Sequence, residues 1–241
     1  MSSTLDMSVY AADPRTVRND LSTRTHESAF ADRDLEYMHS HETERDAAEP
    51  PRRRDPVYAA ATRMLAFALA PMAALTSPGR ARHTACQWAL AARFPAERLN
   101  GLTPDARAAF EAARTRALWE HGVLLGLTSG HRDRDTQTAL YLAEVRRCGS
   151  VAEARRWVLP PEESRHVAGT AMDVRPTEGA RWLERHGALH SLYRVYDNEW
   201  WHFEYRPDGR PPRLPHPGAH DRRLLRRATM IVNLDLTCSA A

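Results

Sequence analysis

One stretch limits the fold more than any other. Residues 102–122 read "LTPDARAAFEAARTRALWEHG" and run directly into "VLLGLTSG" at 123–130. Thr103 is a good N-cap, Pro104 suits the first helical position, and Gly122 supplies a stop. The following eight residues are short, apolar and closed by a polar loop, the pattern of a strand buried on both faces. A capped helix feeding a buried strand within 29 residues points to a fold that mixes helices and strands.

The remainder extends that pattern. "RDTQTALYLAEVRRCG" predicts a second helix ended by Gly149, and "SVAE" at 150–153 has the form of a capping box opening a short third helix. "VLPPEE" reads as loop. "TAMDVRP" predicts a strand closed by Pro176, and "EGARWLERHG" (178–187) another short helix. "SLYRVY" and "WWHFEYRP" alternate on either side of Asp197-Asn198 and predict a tight hairpin. Helices with interspersed short strands and a closing hairpin make an α+β fold: a small antiparallel sheet with helices packed around it.

The ends of the chain differ in character. Residues 1–56 are polar, highly charged and poor in large apolar residues, which predicts disorder, and "EPPRRRDP" marks a boundary. The segment 57–80 opens with the apolar run "VYAAATRMLAFALAPMAAL" (57–75). Basic residues before it and small residues after it resemble a secretory signal or anchor; the competing reading is an amphipathic or buried helix. The first implies export or cell-wall association, with membrane contact through 57–75; the second implies a cytoplasmic protein. The folded unit is expected over 81–215, with 216–241 a tail.

Composition excludes more than it suggests. All 34 basic residues are arginine and the net charge is only +3, with acids interleaved among the bases. The clearest basic runs, "RRR" at 52–54 and "RRLLRR" at 222–227, lie outside the patterned segment, so no nucleic-acid partner is expected. Cys86, Cys148 and Cys238 make an odd count without CxxC spacing, which favours unpaired thiols over a disulfide framework or a zinc knuckle.

The chemistry concentrates in three places. "SRHVAGTAMDV" (164–174) sets His166 and Asp173 seven positions apart among small residues. Both side chains are donors for a divalent metal, and a catalytic zinc needs three protein ligands plus one open position. "NEWWHFEY" (198–205) supplies His202 as the third, flanked by Glu199 and Glu204. Glu199 is the candidate base that takes a proton from the attacking water. In a regular strand, residues 199 and 202 face opposite sides, so Glu199 can serve only from a turn or bulge. Glu204 shares a face with His202 and is the alternative base or a partner of the imidazole. "TSGHRDRDTQ" (128–137) places Arg132, a charge suited to a developing oxyanion, in a loop, and Gln137 early on the next helix.

Together, "SGHRDRDTQ", "SRHVAGTAMD" and "EWWH" resemble the zinc D-alanyl-D-alanine carboxypeptidases of the VanY type (peptidase family M15) and their dipeptidase relatives. The family pattern is SGxRxxxxQ, SxHxxGxAxD and ExWH, in that order, and the middle motif matches at Ser164, His166, Gly169, Ala171 and Asp173. The resemblance covers 85–207. It implies the fold shared by Hedgehog and D,D-peptidase domains, with Zn2+ on His166, Asp173 and His202, Glu199 as general base and Arg132 stabilising the tetrahedral intermediate. Ser164 and Gln137 would line the substrate pocket. The implied partner is peptidoglycan or its peptide precursors, cut at a terminal D-Ala-D-Ala bond by a monomeric enzyme. His131 stands where the family usually carries an aromatic, and "EWWHF" is closer to the dipeptidase branch. D-Ala-D-Ala dipeptidase and L-Ala-D-Glu endopeptidase activities are therefore the neighbouring readings. A non-catalytic zinc-binding interaction module is the reading from another class, and such a module needs neither Glu199 nor Arg132.

Overall fold

The computed structural model describes residues 55–219; the polar N-terminal region and most of the tail named above lie outside them. The elements are α1 (Asp55–Thr76), a 3-10 turn (Pro78–Arg80), α2 (Ala81–Arg93), α3 (Pro104–His121), β1 (Gly126–Ser129) and α4 (Arg134–Cys148). There follow α5 (Val151–Ala154), β2 (Ala171–Arg175), α6 (Thr177–His186), a second 3-10 turn (Gly187–His190), β3 (Leu192–Arg194) and β4 (His202–Tyr205). The four strands form one antiparallel sheet in the order β1-β2-β4-β3, an α+β architecture.

Local chemistry sets the helix ends. The Thr103 hydroxyl accepts from the Ala106 amide at 3.3 Å, and Gly122 closes α3 in the left-handed region. Asp133 caps α4 by accepting from the Thr136 amide at 2.7 Å, and Gly149 closes it at φ 66°. The capping box expected at Ser150 does not form: its side chain makes no cap bond, and α5 is a single turn too short to reward one.

The two larger apolar clusters among the described residues hold the helices to the sheet and to one another. In the first, Ala106, Phe110, Ala113 and Ala117 of α3 meet Leu127, Met172, Val174 and Phe203 of the sheet and Trp182 and Leu183 of α6. In the second, Ala59 and Ala66 of α1 pack with Cys86, Ala89 and Leu90 of α2, together with Phe94, Leu118 and Leu124. Between them lies an ion pair, Arg114 to Glu97 at 2.7 Å, with side chains 2% and 5% exposed. Glu97 also accepts from the Leu127 amide, which ties the segment before α3 to β1. Burial pushes the Cys86 thiol up to about 11, and the Cys148 thiol donates to Glu144 Oε1 at 3.4 Å.

Two expectations are corrected. The strand expected over 123–130 is regular only over Gly126–Ser129, because its entry is buried among helices rather than paired. The hairpin is not tight at Asp197-Asn198. β3 pairs with β4 from Leu192↔Tyr205 to Arg194↔Phe203, which leaves a wide connection over 195–201. Asp197 and Asn198 instead donate their amides to the carbonyls of Leu214 and Pro215. The Arg194 guanidinium braces the connection by donating to the carbonyls of Tyr196, Asp197 and Glu199.

Gly169 is required by a close approach of backbone to backbone. It sits at φ 69°, and a Cβ there would lie 2.5 Å from the Gly101 carbonyl oxygen. Its own carbonyl accepts from the Thr103 amide at 2.9 Å. Gly169→Ala is expected to destabilise the protein by about 2 kcal/mol or more, from the left-handed backbone and the contact together. A denaturation midpoint unchanged from the parent would refute this.

Candidate metal centre

The sheet register assembles the site. Asp173 on β2 stands opposite His202 on β4 and Ser129 on β1. Strand alternation turns Met172, Val174 and Phe203 into the core and sends Asp173, His202 and Glu204 to the other face. His166 arrives from the turn before β2, where its carbonyl accepts from the amides of Arg132 and Gly169. The side-chain donors of His166, Asp173 and His202 lie within 4.8 Å of one another, and all three residues are buried.

Each ring is oriented by a second partner. His166 Nδ1 lies 2.6 Å from the Gly130 carbonyl. A carbonyl only accepts, so Nδ1 carries the proton and Nε2 keeps its lone pair. Nε2 faces Asp173 Oδ2 at 3.4 Å. His202 has Nε2 against Glu204 Oε1 at 3.3 Å and Nδ1 against Asp173 Oδ1 at 3.1 Å, so Nδ1 is the atom it turns to the shared centre. Glu204 is fully buried between His202, the Tyr196 hydroxyl and the Arg206 guanidinium.

These environments drive the charges apart. Burial opposes ionisation of Asp173, but His166, His202 and Arg132 hold its carboxyl well below the usual range. Burial alone would lower His202, yet hydrogen bonds to Asp173 and Glu204, with Glu199 near, push it up to about 10. His166 is lowered by burial and by Arg132. Burial pushes Glu199 up to about 8, while burial of Glu204 is outweighed by the His202 hydrogen bond and brings it down to about 2. The two carboxyls thus differ in character: the His202 hydrogen bond favours the anion at Glu204, and burial favours the protonated form at Glu199.

Glu199 escapes the strand-alternation problem by lying in the wide connection before β4. From there its Oε2 comes within 3.8 Å of His202 Nδ1. Arg132 is buried and donates to Ser129 Oγ at 3.0 Å and to Asp173 Oδ2 at 2.9 Å. The Gln137 amide donates to the Leu159 carbonyl at 2.8 Å and faces Arg132 at 3.5 Å, so it braces the arginine and the 159 wall. Ser164 is buried and lines the same cleft.

These side chains line one cleft that is open to solvent. Its wall includes Trp157, Leu159, Glu144 and Arg147, none of which the motifs single out. Tyr196 was missed as well. Its ring lies 5.1 Å from that of His202, and its hydroxyl donates to Glu204 at 3.4 Å. In sequence it is one more strand aromatic in "SLYRVY", with no signal of its own.

The donor chemistry suits a zinc ion. Two imidazoles, one with Nε2 kept available by the Nδ1–H bond to Gly130 and one turning Nδ1 toward Asp173, and one carboxylate are the N and O ligands a three-ligand zinc site uses, and their atoms already converge.

Comparison with known proteins bears on the same segment. Residues 100–208 match the family model VanY, D-alanyl-D-alanine carboxypeptidase. No curated protein matches the chain. Among solved structures, the LdcB LD-carboxypeptidase is 30% identical, over 45% of this chain and 68% of that one, with TM-score 0.38. The L,D-carboxypeptidase DacB from Streptococcus pneumoniae is 29% identical, over 44% and 67%, with TM-score 0.37. A mutant of the vancomycin resistance D,D-pentapeptidase VanY, crystallised in complex with Zn(II), is 24% identical, over 45% and 76%, with TM-score 0.40. The matched residues hold the whole sheet and all the side chains gathered around Asp173, and over them the chain is similar to the VanY family of D-alanyl-D-alanine carboxypeptidases.

Proposed function

We propose that this protein is a zinc peptidase that hydrolyses the terminal bond of peptidoglycan-type peptides ending in D-Ala-D-Ala. The observation that carries the reading is the convergence of His166, Asp173 and His202 beside Glu199, at the wall of a cleft open to solvent. His166 Nε2, the Asp173 carboxylate and His202 Nδ1 would hold the ion. When bound, zinc lowers the pKa of its water and polarises the scissile carbonyl. Glu199 accepts the proton of the attacking water and returns it to the leaving amine, a task that suits a carboxyl raised toward neutrality. The Arg132 guanidinium supplies positive charge to the oxyanion; Asp173, Ser129 and Gln137 keep it aimed. Ser164 borders the bound peptide. Glu204 keeps the His202 ring in register and leaves Nδ1 for the ion. The L,D-carboxypeptidase, dipeptidase and endopeptidase readings use the same centre and differ only in how the cleft holds the peptide.

The deciding experiment measures release of D-Ala from D-Ala-D-Ala dipeptide, tripeptide and pentapeptide substrates, with and without a chelator. Hydrolysis is expected to stop on chelation and to return with zinc. A chelated protein that stays fully active, or a pure protein that takes up no transition metal, would end the proposal. Uptake of zinc without turnover of any of these peptides would favour the non-catalytic module.

Asp173→Ala removes the only carboxylate among the three ligands and leaves Arg132 and His202 facing each other unbalanced. It is expected to weaken metal retention about 100-fold or more, since even changes to the partners of metal ligands typically cost 10–100-fold. Zinc content after gel filtration measures this, and unchanged content would count against Asp173 as a ligand.

A further inference from the structure

α1 shows two opposite faces. One is built of small residues and docks: Ala59, Thr62, Ala66 and Ala73 are buried, Ala59 and Ala66 within the second core cluster. The docking is reinforced from the sides. Arg63 donates to the Trp119 carbonyl at 2.8 Å, the Phe67 ring packs edge-on to Trp119 at 4.4 Å, and Arg93 lies 4.4 Å over the Tyr58 ring. The other face carries the large side chains and leaves them in water. Val57 is 66% exposed, Met64 68%, Met72 57% and Leu75 81%. Seven of the eleven large apolar side chains exposed among the described residues lie on this one helix. A 22-residue helix is about 33 Å long, and a contiguous apolar strip along it is the kind of surface that marks an interaction site.

Charge identifies what covers it. Residues 56–96, which include nearly all of α1 and all of α2, contain no aspartate or glutamate, but hold Arg63, Arg80, Arg82 and Arg93. "RRR" at 52–54 precedes the segment, separated from it by Asp55 alone. An apolar strip flanked at both ends by arginines and free of acids complements an anionic bilayer surface. A protein partner with an acidic rim would match the arginines but offers no reason for acids to be missing from residue 56 to the end of the helix.

The packing decides the orientation. By length and composition α1 could cross a bilayer. It is docked lengthwise against α2, which carries Arg82, His83, Gln87 and Arg93, and these groups do not belong in hydrocarbon. We infer that α1 is an in-plane membrane anchor: it lies along the surface of an anionic bilayer with Val57, Met64, Met72 and Leu75 immersed and the folded domain held above. This inference does not rest on the peptidase reading, and the two fail separately: an inactive protein could still bind vesicles, and an active one could fail to.

The test uses the full chain and vesicles of phosphatidylcholine, with and without phosphatidylglycerol. The protein is expected to float with the anionic vesicles and less with the neutral ones. The triple change Met64→Glu, Met72→Glu and Leu75→Glu is expected to reduce partitioning about tenfold or more. These side chains are exposed, so circular dichroism and D-Ala release in solution should not change. Fluorophores on Val57→Cys, Met64→Cys and Leu75→Cys, in a background lacking Cys86, Cys148 and Cys238, should report one shallow depth by lipid-borne quenchers. A depth that grades along the roughly 27 Å between the first and last of these positions would mean a spanning helix and overturn the proposal. So would failure to float, a dimer in solution that the triple change dissociates without any vesicle binding, or a mature protein that lacks residues 55–76.

Discussion

Glu199→Gln should retain zinc and lose hydrolysis. The substitution keeps the shape of the side chain and its place in the connection before β4, where Arg194 holds the Glu199 backbone carbonyl at 3.2 Å. It removes only the capacity to accept and return a proton. General acid-base groups of this kind contribute about 10²–10⁴ in rate, so kcat should fall within that range while zinc content stays at the parent level. The residue is suited to the task because burial drives its carboxyl up to about 8 before any cation is bound. A nearby cation draws it back down, since positive charge favours the carboxylate. The base must be ionised to act, so activity should rise with pH on the acid limb, and that limb should disappear from the residual activity of Glu199→Gln. A variant that loses metal and activity in proportion would make Glu199 a ligand or a scaffold group instead.

Glu97→Ala should be among the most destabilising changes available outside the site. It strips Arg114 of its partner where the guanidinium is nearly inaccessible, and it leaves the Leu127 amide at the start of the sheet without its acceptor. Breaking a buried pair from one side costs about 3–5 kcal/mol, because the surviving charge stays desolvated. Replacing both members, Glu97→Leu with Arg114→Met, should be much milder than the sum of the two single changes, since no orphan charge remains. Chemical denaturation of the four proteins checks this. Additive losses would show that the pair is not coupled in the way its 2.7 Å geometry implies.

The contrast between Glu97 and Glu199 shows where sequence reading stops. Glu199 was found because it sits three residues before a histidine inside a recognisable motif. Glu97, in "FPAERLN", resembles any surface acid. Its partner is 17 positions away on α3 and its second contact 30 positions away on β1. Tyr196 was hidden in the same way: nothing in "SLYRVY" distinguishes the aromatic that reaches Glu204 from one that packs. Conversely, the alternation in "AMDVR" and "HFEY" already divided core from site, because a strand sends neighbouring side chains to opposite faces whatever surrounds it.

The sequence by itself therefore determined what depends on near neighbours: the capped helices over 104–121 and 134–148, the existence and faces of β2 and β4, and the three candidate donors. Tertiary structure alone decided what depends on distant partners. The register that sets Asp173 across from His202 comes from pairing strands 29 positions apart. The wide connection that frees Glu199 exists because Asp197 and Asn198 bond to a segment that returns at 214–215. The uncovered face of α1 is defined only by what α2 covers. Propensity, caps and alternation act within a few residues along the chain, whereas register, ion pairing and burial are free energies of contact between segments that the sequence alone does not place side by side.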